Sequence, residues 1–191
     1  TLKDAINKGD ITGLGTTDEF TSNLGKIEVA IGGIIGQLNN STSTNNSVYL
    51  VTNDGTISSN RFDGAASQLC SVYVSGIIGN VIGKSGELGS GSQVLNGQYE
   101  NNGLIRYNGD AVSNYTTIYN SGILVASTST YSYFSYMTNN GVVGSTRKNY
   151  DLATELKMTS ANNNSRIYYA ATVIDNSSAG ITLSRAYNEF N

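Results

Sequence analysis

Residues 10–40 read DITGLGTTDEFTSNLGKIEVAIGGIIGQLNN, and the prediction of the fold starts from this stretch. Its apolar residues recur at alternating steps of four and three positions, at Phe20, Leu24, Ile27, Ile31, Ile34 and Leu38. This spacing is typical of a helix that presents one apolar stripe to a partner helix. Thr16 lies three residues before Glu19, which is the spacing of a capping box at a helix start. The pattern therefore predicts a helix that is buried by association with another copy.

The same stretch also supports a strand. Its heptad-like part, residues 20–38, contains four glycines, at positions 25, 32, 33 and 36. Each of them costs a helix about 1 kcal/mol relative to alanine. Ile27, Val29 and Ile31 alternate with other residues, as they would on one face of a β-strand. In either case the six apolar residues of a slender segment need a partner, because the segment cannot bury them by itself. We predict that they mediate oligomerisation, as a trimer or as a polymer.

The polar run NNSTSTNNS at residues 39–47 predicts a boundary between two parts of the chain. We expect an anchoring and oligomerisation segment over residues 1–40 and a β-rich body over residues 41–191. Short helices are predicted over residues 1–9 and 149–158, whereas the rest consists of short apolar runs separated by Asn-Gly and Asp-Gly pairs that are typical of hairpin turns. The predicted fold is mostly β, with an antiparallel β-sandwich or jelly-roll-like body and an N-terminal helical or extended oligomerisation segment.

The composition argues against several classes of function. The chain has no histidine and one cysteine, so the commonest general base and zinc ligand is missing and no cysteine-rich metal site is possible. No pair of carboxylates lies in a catalytic signature. The net charge is −3, with the basic residues scattered, which argues against a nucleic acid partner. No apolar run approaches the length of a membrane-spanning segment. We expect a protein that is not an enzyme and that needs no cofactor or metal.

Two sets of residues are candidate surface sites. Tyrosine among Ser, Thr and Asn is typical of binding surfaces that stack on sugars or contact another subunit, and TYSYFSYM supplies Tyr131, Tyr133, Phe134 and Tyr136. The alternative for these aromatics is cross-strand packing within the sheet. Six sequons are possible glycosylation sites if the protein is secreted, namely Asn39, Asn40, Asn45, Asn114, Asn163 and Asn176.

The passage NKGDITGLGTTDEF at residues 7–20, followed by the heptad-like stretch, resembles linker and stem passages of bacteriophage tail-fibre and head-fibre proteins. The resemblance covers about the first 40 residues. It implies a non-enzymatic subunit at the virion surface, whose N-terminal part trimerises or anchors to capsid or tail proteins. The β-rich body would then face outward as a decoration or bind glycans of the host surface.

The chain also resembles secreted β-sandwich subunits of microbial surface filaments, which polymerise when an extended terminus of one subunit completes the sheet of the next. This resemblance implies that KIEVAIGGII at residues 26–35 is the donated strand and that the protein is extracellular. The first residue, Thr1, is compatible with signal cleavage and equally with simple removal of Met. A monomeric carbohydrate-binding module is a third alternative.

Overall fold

The computed structural model shows a chain built from stacked β-coils. It describes residues 2–13, 27–40, 48–60, 70–83, 94–107, 116–126, 133–145, 148–149, 154–157, 166–170, 173–175 and 182–188. Every regular element in these ranges is a β-strand.

The strands follow one another in coils, so that each coil places its strands beside those of the coil before. Coil 1 contains β1 (Leu2–Lys3), β2 (Ile6–Asn7), β3 (Ile11–Gly13), β4 (Ile27–Gly32) and β5 (Ile35–Asn40). Coil 2 contains β6 (Val48–Tyr49), β7 (Val51–Asn53), β8 (Ile57–Ser59), β9 (Cys70–Ser75) and β10 (Ile78–Gly83). Coil 3 contains β11 (Val94–Asn101), β12 (Leu104–Tyr107), β13 (Thr116–Ser121) and β14 (Leu124–Ala126). Coil 4 contains β15 (Tyr133–Asn139), β16 (Val142–Ser145), β17 (Lys148–Asn149), β18 (Thr154–Lys157), β19 (Arg166–Ala170) and β20 (Val173–Asp175), and β21 (Thr182–Asn188) begins coil 5.

Four sheets run along the stack, and each takes one strand from each successive coil, except that sheets 2 and 3 gain a second strand from coil 4, β17 and β18. Their strand orders are β2-β7-β11-β15-β21 for sheet 1, β3-β8-β12-β16-β17 for sheet 2, β4-β9-β13-β19-β18 for sheet 3 and β5-β10-β14-β20 for sheet 4. A short pair, β1-β6, adds to the first two coils. Every ladder that joins one coil to the next is parallel, as in the alignment of Ile57 with Ile11 and Ile105. The described chain is therefore a parallel β-solenoid.

The predicted antiparallel β-sandwich or jelly-roll-like body is wrong, although the β-rich character is seen. A sandwich pairs strands that are neighbours in sequence through hairpins, whereas here the coil-to-coil partners lie a whole coil apart. The pairs Asp54-Gly55, Asn102-Gly103 and Asn140-Gly141 make corners between consecutive strands of different sheets instead of hairpin turns.

The predicted helices are also wrong where the structure describes the chain. β4 and β5 replace the C-terminal part of the expected helix in residues 10–40, so the strand alternative describes residues 27–40. β1 and β2 replace the helix expected over residues 1–9, and β18 lies within the one expected over residues 149–158. In residues 27–40 the period-two alternation therefore decides the structure and the heptad pattern does not, because β4 and β5 have β9 and β10 as neighbouring strands with which to pair.

Apolar side chains on the inward faces fill the interior in two clusters. One cluster lies between sheets 2 and 3, and it contains the stacked residues Ile57, Ile105, Val72, Val74 and Ile118. The other lies around sheets 1 and 4, and it includes Val51, Tyr99, Met137, Ile78 and Leu124. The fully buried members withdraw their apolar surface from water only when coils stack, so stacking is the main source of stability.

The two ends of the described stack differ. At the N-terminal end, β2, β3, β4 and β5 are the outermost strands of their sheets. At the other end, β17 pairs antiparallel with β16 and β18 pairs antiparallel with β19, so that sheets 2 and 3 end on reversed strands. Sheet 1 instead ends on β21, which pairs in parallel with β15.

Candidate functional site: the asparagine ladder and the coil 1 edge

A column of asparagine side chains runs along the inside of sheet 1. Nδ2 of Asn7 donates to Oδ1 of Asn53 at 2.7 Å, Asn53 donates to Asn101 at 2.7 Å, and Asn101 donates to Asn139 at 2.7 Å. The side chains of coils 2 to 4 in this column are fully buried. We call this column the asparagine ladder. Because a buried amide is costly unless it is hydrogen-bonded, each ladder member depends on the coils next to it.

Each ladder asparagine also holds the corner that follows it. Nδ2 of Asn53 donates to the carbonyl oxygen of Gly55 at 2.9 Å, and Nδ2 of Asn139 donates in the same way to Gly141 at 3.0 Å. Oδ1 of Asn101 accepts from the backbone N–H of Gly103 at 3.4 Å, in addition to the bond from the coil before. The side chain therefore connects neighbouring coils and fixes the corner within its own coil.

The glycines of these corners are required by the stacking. A Cβ on Gly55 would lie 2.1 Å from the carbonyl oxygen of Gly9, one on Gly103 would lie 1.9 Å from that of Gly55, and one on Gly141 would lie 2.0 Å from that of Gly103. No side chain fits at such distances, because the obstacle is backbone. Consecutive coils thus approach each other closely at this column of glycines, and Asn-x-Gly is the unit that stacks.

The ladder touches the opposite wall of the solenoid at a second column of glycines. A Cβ on Gly33 would lie 2.8 Å from Oδ1 of Asn53, and one on Gly76 would lie 2.6 Å from Oδ1 of Asn101. These glycines lie in the turns between β4 and β5 and between β9 and β10. The ladder and the facing turns separate the two apolar clusters of the interior.

An exposed polar column follows the ladder on the outside of the same corners. Nδ2 of Asn102 donates to Oδ1 of Asp54 at 2.9 Å, and Nδ2 of Asn140 donates to Oδ1 of Asn102 at 3.0 Å and to Oε1 of Glu100 at 3.2 Å. Because water competes for these groups, the column contributes less to stability than the buried ladder does.

The coil 1 edge differs from the inner coils at three positions of sheet 1 and its corner. Oδ1 of Asn7 accepts one hydrogen bond in the described structure, from the N–H of Gly9 at 3.2 Å, and none from an asparagine of a preceding coil. A Cβ on Gly9 would meet only Oδ1 of Asn7, at 4.0 Å. The side chain of Ile6 is 58% exposed, whereas the aligned Thr52 is only partly exposed. We define the coil 1 edge by Ile6, Asn7 and Gly9.

A tyrosine pair lies on sheet 3, at positions that alternate with the inward-facing residues. The rings of Tyr73 and Tyr119 stack with centroids 5.2 Å apart and an interplanar angle of 21°. The hydroxyl of Tyr73 donates to Oε1 of Glu28 at 3.3 Å. Since the side chain of Tyr73 is only 1% exposed, its ring is not available to a ligand, and the pair stabilises the stacking of coils 2 and 3.

Several buried polar groups lie outside the ladder. Among the described residues, neither amide atom of Asn80 or of Asn120 has a hydrogen-bond partner. Asn120 lies in register with Val74 and two residues after the buried Ile118, so it shares the inward face of β13 with apolar residues. Burial raises the pKa of the Cys70 thiol to about 11, and burial likewise raises the pKa of the Tyr99 hydroxyl. The Cys70 thiol therefore stays protonated and unreactive near neutral pH, because the thiolate is the reactive form.

The residues predicted to mediate oligomerisation are described only in part, and their role in oligomerisation stays a prediction. Phe20 and Leu24 lie outside the described residues. Ile27 and Ile31 are in β4, Ile34 is in the following turn and Leu38 is in β5. Ile31 is buried in the apolar cluster between sheets 2 and 3, and Ile34 and Leu38 pack against the other cluster. β4 and β5 pair with β9 and β10 of the same chain, so the helix that motivated the prediction is absent from residues 27–40.

The other predicted site residues are placed only in part. Of the aromatic residues predicted to face a ligand, three belong to β15, which lies between β11 and β21 in sheet 1: Tyr133, Phe134 and Tyr136. Tyr131 lies outside the described residues. Asn39 is exposed in β5 and Asn40 ends that strand. The remaining sequons, at Asn45, Asn114, Asn163 and Asn176, lie outside the described residues. Glycan binding and glycosylation stay predictions.

The asparagine ladder was missed from the sequence, although a signal for it exists. Asn-x-Gly occurs at residues 7–9, 53–55, 101–103 and 139–141, and an aliphatic residue follows the glycine at once or after one residue. The same pattern occurs at residues 23–25 and 120–122, so the spacing along the chain, and not the motif alone, marks the ladder units. The ladder partners are 46, 48 and 38 residues apart. A search for repeats with a period near 45 residues detects this unit, whereas an examination of each Asn-Gly pair alone suggests a hairpin.

Comparisons with protein families, curated proteins and solved structures gave no match to this chain. In the part of the chain that the structure describes, no group of three His, Cys, Asp or Glu side chains is placed to hold a metal ion. Within the same residues, no helix is long and apolar enough to span a membrane.

Proposed function

We propose that this chain is a non-enzymatic structural subunit of an extracellular assembly, either a virion fibre or decoration or a microbial surface filament, in which it contributes a segment of β-solenoid and associates with other copies. The observation that supports the proposal is the asparagine ladder, which continues through four coils of the described structure. A stack of this kind supplies a stiff, extended body, because each coil contacts only its neighbours.

The composition supports a role outside the cell or on a particle. Only 13% of the residues are charged, so solubility depends largely on hydroxyl and amide groups. The described interior contains aliphatic and tyrosine side chains together with the hydrogen-bonded amides of the ladder. These features suit a stable subunit that is displayed on a surface. The resemblance of residues 7–20 to phage fibre stems supports the virion as one possible location of the protein.

Light scattering coupled to size-exclusion chromatography, together with electron microscopy of the purified protein, tests the proposal. We expect a mass that rises with concentration and elongated particles. A strictly monomeric chain at all concentrations would contradict it. Immunogold labelling of virions and of cell surfaces then distinguishes the fibre from the filament.

A further inference from the structure

We propose that β17 (Lys148–Asn149) and β18 (Thr154–Lys157) form a cap that closes the edges of sheets 2 and 3 beside coil 4. The cap prevents the strands of a second copy of this chain from pairing with β16 and β19. We call these two strands the strand cap. The inference goes beyond the proposed function, because a closed sheet edge protects a monomer as well as an assembled subunit.

The path of the chain through coil 4 supplies the first argument. In the described residues of coils 1 to 3, the strand of sheet 2 is followed by the strand of sheet 3, as in β8 and β9 or in β12 and β13. In coil 4 the chain forms β17 and β18 after β16 and before β19. Both strands pair antiparallel, whereas the ladders between coils are parallel. The strand cap is therefore an addition to the repeating unit and not a coil of the stack.

The strand cap lies at the level where a fifth coil would pair with sheets 2 and 3. In sheet 1 this level is held by β21, which pairs in parallel with β15. In sheet 2, β17 pairs with Gly144 and Ser145, on the side of β16 away from β12. In sheet 3, β18 pairs with residues 166–169 of β19, on the side away from β13. Because a strand has two hydrogen-bonding edges, residues 166–169 have no edge left for another strand.

The composition of the strand cap differs from that of the strands it covers. β19 reads RIYYA, and its isoleucine and tyrosines favour strands, so a free edge here would be a template for pairing with another chain. The inner strands β9 and β13 of the same sheet contain no charged residue. Residues 147–157, which include the strand cap, contain five charged residues in eleven, against 13% in the whole chain. Short edge strands with charged residues, lysine above all, are a common protection against edge-to-edge association.

The direction of the strand cap adds a second obstacle to growth of the stack. A copy that extended the solenoid would bring parallel strands to sheets 2 and 3, as each coil does. It would have to displace β17 and β18 or pair with strands of reversed direction, which present a different hydrogen-bond pattern. Growth at this end is thus blocked in two of the four sheets, and we expect association between copies to use other surfaces.

The first test opens the edge with a double-proline variant, Glu155→Pro with Leu156→Pro. Successive N–H groups of a strand face opposite edges, so one of the two prolines removes an N–H from the ladder with β19. We expect the variant to keep the far-ultraviolet circular dichroism of the stack and to form thioflavin-T-positive aggregates about tenfold faster than the parent. The matched control is Glu155→Arg with Leu156→Val, which keeps both N–H groups and a charged residue and should aggregate like the parent.

Hydrogen exchange followed by mass spectrometry shows whether the edge has opened. In the parent, β19 should be protected along both edges, because it lies between β13 and β18. In the double-proline variant its exchange should become about tenfold faster, while β9 keeps its protection. If the double-proline variant does not fold, Leu156→Gly takes its place in both measurements. It weakens β18 and keeps its N–H groups, so we expect smaller changes in the same direction.

The outcomes decide between the strand cap and a segment without this role. A folded variant that leaves the exchange of β19 unchanged, or that aggregates no faster than the matched control, would overturn the strand cap. A parent in which β18 exchanges like an unstructured chain would overturn it as well. A parent that is strictly monomeric would contradict the proposed function and leave the strand cap standing.

Discussion

Replacing Asn101 with leucine tests whether the ladder holds the coils together. The change removes the acceptor for Nδ2 of Asn53 and the donor for Oδ1 of Asn139, both in fully buried side chains. Each hydrogen bond lost by a buried amide costs about 1–3 kcal/mol. The leucine methyl groups also crowd the turn at Gly76, which adds about 1 kcal/mol or more. We expect Asn101→Leu to lower the free energy of unfolding by about 3–7 kcal/mol in all.

Two further variants are controls for position. Asn7→Leu disturbs the same chemistry at the end of the ladder, where the side chain is partly exposed and water can replace its partners, so we expect a loss of only about 1 kcal/mol. Asn140→Leu alters the exposed column at a neighbouring corner and should change stability by less than about 0.5 kcal/mol. The ranking of the three variants follows from burial of the amide and not from loss of an asparagine as such.

Urea unfolding followed by far-ultraviolet circular dichroism measures these differences, because the chain has no tryptophan. A double-mutant cycle between Asn53 and Asn101 should show coupling of about 1–3 kcal/mol, since the two side chains share one hydrogen bond. The reasoning is refuted if Asn101→Leu and Asn7→Leu cost the same, or if the cycle shows no coupling.

Three other predictions concern the interior. Gly103→Ala should abolish folding or lower the free energy of unfolding by more than about 3 kcal/mol, because its Cβ would meet the carbonyl oxygen of Gly55 at 1.9 Å. Thermal melts check this, with Gly9→Ala as the control, because a Cβ on Gly9 would meet only Oδ1 of Asn7, at 4.0 Å. Asn120→Val should raise the melting temperature by about 2–8 °C by removing an unpaired buried amide, and an unchanged or lower value in calorimetry would contradict it. The raised thiol pKa of Cys70 favours the protonated form in the folded state, so stability should fall as pH rises from about 9 to about 11, by at most about 3 kcal/mol. Cys70→Ala should reduce that fall in pH-dependent urea titrations, with Tyr99 contributing in the same direction.

Part of the coil 1 structure could be predicted from the sequence. The alternation of Ile27, Val29 and Ile31 indicates a strand, and β4 is there. The heptad spacing of the same residues indicates a helix, and the structure contradicts it in residues 27–40. Both patterns exist in one stretch because its apolar residues satisfy a period of two over residues 27–31 and alternating steps of four and three over residues 20–38. Local spacing alone cannot choose between them, but pairing with β9 and β10 can.

The sequence by itself determined that this chain forms short strands with polar and glycine-rich corners, because β-branched residues, Asn-x-Gly units and the absence of proline act locally. Only the tertiary structure decided that the strands stack in parallel and that the asparagines point inward. An Asn-Gly pair suits a hairpin as well as a corner, and the difference lies in a partner some 40 residues away. Burying Asn101 is favourable only when Asn53 and Asn139 are present to bond with it, so the ladder is a property of the stacked coils and not of any one of them.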